Sequence, residues 1–73
     1  MDQKVQYLNQ IIEIIDTKAA IFKNKKKSLP EAAYLAEKQV LTKTIEDAIK
    51  LAEEIKPVPF SLINDLRVLI KQL

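Results

Sequence analysis

Two pairs of carboxylates and one run of lysines are the groups whose types and spacing could do chemistry. Glu13 with Asp16, and Glu53 with Glu54, offer oxygen ligands of the kind a hard cation takes. Lys18, Lys23, Lys25, Lys26 and Lys27 follow one another with no acidic residue between Asp16 and Glu31. Such a concentration of ammonium groups could hold the phosphates of nucleic acid or of anionic lipid. Each has a plainer reading. Glu46–Lys50 and Lys50–Glu54 have the i,i+4 spacing of surface ion pairs on a helix. The lysines complement the negative end of a helix dipole, as Lys56 and Lys71 do near the ends of two further helices. No arginine for bidentate readout and no interleaved aromatics for base stacking accompany the cluster.

The residue types that are missing exclude more. The 73 residues contain no glycine, histidine or cysteine. That removes the imidazole base, the thiolate nucleophile and the soft metal ligand, together with any Gly-rich phosphate cradle. A carboxylate metal site inside a bundle would also want a Glu-x-x-His element. Ser28 and Ser61 are placed as helix caps, and Tyr7 and Tyr34 on or near apolar arcs as core or interface residues. The expectation is therefore a protein that is not an enzyme, with no catalytic residue, cofactor or metal and no small-molecule substrate. Net charge is only +2, from 12 basic and 10 acidic residues, too balanced for a whole-domain footprint on nucleic acid.

Positioning falls to helices. Val5, Leu8, Ile12, Ile15, Ala19 and Phe22 recur at spacings of three and four, and Ile11 and Ile14 widen the stripe. This predicts helix 1 over about residues 2–24, with an arc broad enough to serve as the central helix. Ser28-Leu-Pro-Glu31 matches a capping box and opens helix 2, expected over about 29–56 with Leu41, Ile45, Ala48, Ala52 and Ile55 inward and Val40, Ile49 and Leu51 flanking them. Pro57-Val-Pro59 is a stiff connection, and Ser61 caps a helix 3 over about 61–72 facing inward with Leu62, Ile63, Leu66, Leu69, Ile70 and Leu73. The expected fold is all-α, a single domain over 1–73 built as an antiparallel three-helix bundle with a long helix 1–helix 2 hairpin and a short third helix.

Lengths suggest an incomplete core. At about 1.5 Å per residue, helix 3 spans roughly 18 Å against roughly 33 Å and 40 Å for helices 1 and 2. It should cover only one end of the hairpin and leave the tip, from Ala19 to Ala36, as a thin two-helix projection. Ile21, Phe22, Tyr34 and Leu35 there are the candidate partner-binding residues, completed by a second copy in a homodimer or by another protein. The alternative is a bend in helix 2 near Lys38-Gln39 that folds the tip back. The opening Met-Asp-Gln-Lys and the interruption of Ile11–Ile15 by Glu13 predict neither signal peptide nor membrane span, hence a cytoplasmic or membrane-peripheral location, which the lack of cysteine also fits.

Helix 1 with Gln10-Ile11-Ile12-Glu13, the long charged second helix, and Pro57-Val-Pro-Phe-Ser-Leu62-Ile63-Asn64-Asp65-Leu66 resemble the small immunity proteins of class IIa (pediocin-like) bacteriocin producers. The residue match lies in Pro59 through Leu66. The resemblance implies an antiparallel helical bundle that protects its producer by engaging a bacteriocin-occupied membrane receptor from the inner face. The family usually continues into a fourth helix and a recognition tail, which are not found before Leu73. The competing functional class is a basic adaptor binding nucleic acid or an anionic membrane surface through Lys23, Lys25, Lys26 and Lys27, with nucleic acid the disfavoured partner.

Overall fold

Periods of three and four residues build three helices and nothing else among the described residues. A computed structural model describes residues 3–73, with α1 at Gln3–Lys25, α2 at Glu31–Glu53 and α3 at Phe60–Gln72. The chain is an all-α three-helix bundle. The expected start of helix 1 at residue 2 lies outside the described residues. Lys4 meets Glu54 at 3.9 Å at one end, and Phe22 meets Tyr34 at the other, so α1 and α2 run antiparallel.

The central helix is α2, which corrects the expectation for α1. It packs against both neighbours, whereas α1 and α3 make no close backbone approach. Small side chains explain the choice. Ala48 and Ala52 are wholly buried on α2 beside Leu41, Ile45 and Ile49, so two helices can come close to this one. On α1 the breadth of the apolar arc is misleading. Leu8, Ile15, Ala19 and Phe22 are buried and Ile11 and Ile12 half-buried, but Ile14 at the arc's edge is 49% exposed. From α3, Ile63 and Leu66 enter the same core cluster, joined by Ile55 and Leu73.

Both serine caps are absent, and in each case a proline takes the place. Pro30 and Pro59 occupy the N-cap positions of α2 and α3, with no side-chain cap hydrogen bond. Proline fixes φ near the helical value and lacks only an N–H that would be unpaired there anyway. Ser28 lies in the turn, its N–H donating to the Lys25 carbonyl at 2.8 Å, and Ser61 lies inside the first turn of α3. The last turn of α2 tightens, with Glu54 N–H donating to Leu51 O and Ile55 N–H to Ala52 O, both at 3.1 Å. A cis Lys56–Pro57 peptide follows in the connection.

The hairpin tip is not bare. The Tyr34 hydroxyl donates to the Leu73 carbonyl at 3.1 Å, so the end of α3 lies against the first turns of α2. Helix 2 stops at Glu53 instead of running to residue 56, which shortens the length that α3 has to span. It also runs without interruption through Lys38-Gln39. Tyr34→Phe, which keeps the ring and removes this bond, is expected to lower stability by about 0.5–1.5 kcal/mol in urea unfolding. An unchanged midpoint would mean that the bond contributes nothing to closing the tip.

Candidate interaction surface

The elements leave one long side of the α1–α2 hairpin without a covering helix. Near the tip it forms an open groove of about 420 Å³. Phe22 and Leu41, both buried, are its floor, exposed Ile21 and Val40 its walls, and Ala36, Lys18, Lys25 and Glu37 its rim. Val40 is 63% exposed although it sits in the middle of a helix that packs on two others. Further along α1 a shallower depression of about 310 Å³ lies among Glu13, Ile14, Thr17 and Lys18. A third, of about 420 Å³, lies at the other end beside Tyr7, Gln10 and Leu51.

The four residues expected to bind a partner divide. Ile21 and Phe22 meet in the groove, one as wall and the other as floor. Phe22 is buried within its own chain, stacked on Tyr34 with ring centroids 5.4 Å apart, and Tyr34 is half-buried. The Nζ of Lys38 stands 5.9 Å from the Tyr34 centroid, a cation–π contact that further occupies this ring. Leu35 is exposed, 48%, but does not line the groove. Sequence reasoning placed Val40 and Ile14 beside the core and missed them as surface. Their signal was their position at the margin of a stripe, since a residue there faces a neighbouring helix only if one is present.

The lysine cluster is split as well. Lys25 belongs to the groove rim, whereas Lys23 and Lys27 are exposed and Lys26 is half-buried at the turn. The two aromatic rings nearest the cluster are engaged with each other, which leaves no free stacking platform beside it. Among the described residues no group of three or more acidic, histidine or cysteine side chains gathers around a possible cation. The ion pair on α2 joins Lys43 and Asp47 at 3.3 Å, in place of the expected pairs at Lys50. No helix of the described residues is long and apolar enough to cross a membrane.

Comparison of the chain with protein-family models, with curated proteins and with solved structures gives no match.

Proposed function

We propose that this chain is a non-enzymatic helical module that acts by protein–protein contact through the open side of its α1–α2 hairpin. One observation carries the reading: the groove combines exposed aliphatic walls, Ile21 and Val40, with a buried apolar floor and a charged rim. An apolar centre inside a polar rim is the anatomy of a contact surface, and helix-in-groove docking uses walls of this kind. The competing basic-adaptor reading has only the lysines of the turn, whose charge also serves the end of α1.

The more specific version is self-protection of the bacteriocin-immunity type, in the cytoplasm and against a membrane receptor. It is supported by the antiparallel helices and by the proline-bearing connection into a helix that carries Leu62-Ile63-Asn64-Asp65-Leu66. Expression inside a sensitive cell is then expected to raise resistance to the cognate peptide, with Val40→Glu abolishing the protection. Unchanged sensitivity across pediocin-like peptides removes this version.

The broader reading is tested with a DNA duplex and with phosphatidylserine vesicles titrated at physiological salt, where neither is expected to bind. Saturable binding that disappears with rising salt and on reversal of Lys23, Lys25, Lys26 and Lys27 to Glu would move the function to the turn.

A further inference from the structure

Helix α1 carries a second pattern one residue out of phase with its core pattern. Leu8, Ile15 and Phe22 are 3, 0 and 3% exposed, whereas Tyr7, Ile14 and Ile21, each one position earlier, are 59, 49 and 46% exposed. Both sets repeat every seven residues. An ideal helix drifts by only about 20° per heptad, so the outer set stays on one stripe from end to end. Three positions beyond each of its members come Gln10, Thr17 and Asn24, none of them charged. Four positions beyond them come Ile11, Lys18 and Lys25, so the apolar line has charged groups beside it, the apolar-centre and charged-flank arrangement of a contact surface.

We propose that this stripe is the seam of a homodimer in which α1 of two copies pairs in parallel. The inference rests on the reading of the chain as an interaction module and names the occupant of its open side. Only one of the two core positions of this repeat is apolar, the other holding Gln10, Thr17 and Asn24, and parallel two-fold pairing sets each of these residues against its own copy. Flanking charges select the occupant and its direction. Glu13 precedes Ile14 on one flank, and Lys18 and Lys25 lie four beyond Ile14 and Ile21 on the other. Parallel pairing sets Glu13 of each copy against Lys18 of the other, two attractive pairs related by symmetry. Antiparallel pairing instead brings like flanks together, with Lys18 and Lys25 facing the lysines of the second copy.

Sedimentation equilibrium on the full chain over a wide concentration range tests the proposal. The wild-type mass should rise toward twice the monomer value, and Ile14→Lys should remain monomeric with an unchanged helical circular dichroism signal. Glu13→Lys alone and Lys18→Glu alone each place like charges together twice, and should weaken the dimer by about tenfold. An equimolar mixture of these two variants restores both attractive pairs in the heterodimer, so its affinity should return to the wild-type range. A wild type that stays monomeric, or a mixture no tighter than either variant alone, overturns the proposal. A monomeric wild type that also ignores duplex and vesicles removes the dimer alone, whereas vesicle or duplex binding through the turn lysines removes the module reading whatever the mass.

Discussion

Ile15→Ala is expected to destabilise the fold by about 2–5 kcal/mol, while Ile14→Ala, one residue away, should change it by less than about 0.5 kcal/mol. Ile15 and Ile45 are the largest fully buried side chains, both at 0% exposure in the cluster that joins all three helices. Truncating Ile15 removes buried methyl groups and leaves a cavity that neighbours held by two other helices can only partly close. Domains of this size have about 4–11 kcal/mol of stability in total, by the usual per-residue range. Much of that margin would go with one side chain. Urea unfolding at a concentration low enough to keep the chain monomeric separates the variants, with a large fall in midpoint for Ile15→Ala alone. Equal midpoints would mean that α1 turns a different face inward.

Ala48→Leu should cost about 1–3 kcal/mol for the opposite reason, too much volume in a close-packed place. Ala48 is 0% exposed on the one helix that touches both others. Added methylenes there must push off α1 or α3, or adopt strained rotamers. A loss of this size lowers the melting temperature by roughly 4–8 °C per kcal/mol in a small domain. Ala32→Leu, at an exposed position near the start of α2, is the control and should leave the melting temperature within about 2 °C. If Ala48→Leu melts with the wild type, α2 is not the helix that the other two close upon.

The number, type and approximate extent of the helices could be read from the sequence because each depends on periodicity within its own segment. Leu8, Ile15 and Phe22 on α1, Leu41, Ile45, Ala48 and Ala52 on α2, and Ile63 and Leu66 on α3 were all placed inward correctly. Features that depend on a neighbour were not legible. Whether Ile14 and Val40 are core or surface is decided by where a third helix lies, and α3 lies on α2, away from both. The same cause made α1 look central, since a wide arc was read as two contacts when part of it faces outward. The serine caps failed on local competition. A proline with preset φ next to each serine starts the helix itself. Closure of the tip rests on the Tyr34–Leu73 bond across 39 residues of sequence, a separation for which no spacing rule exists. Of the candidate contact residues, Ile21 was found as a wall of the groove, but its opposite wall, Val40, was read only as a flank of the inward stripe of α2.

The central claim, that the open side of α1 and α2 seats a second copy of this chain, is tested most directly by following its backbone amide resonances as its own concentration is raised. The account predicts shifts that grow with concentration and cluster at Tyr7, Ile14, Lys18, Ile21 and Val40, with the outward residues of α3 such as Asn64, Arg67 and Lys71 unmoved. Shifts confined to α3 or to Lys23–Lys27, or a spectrum that does not change at any concentration, would contradict it.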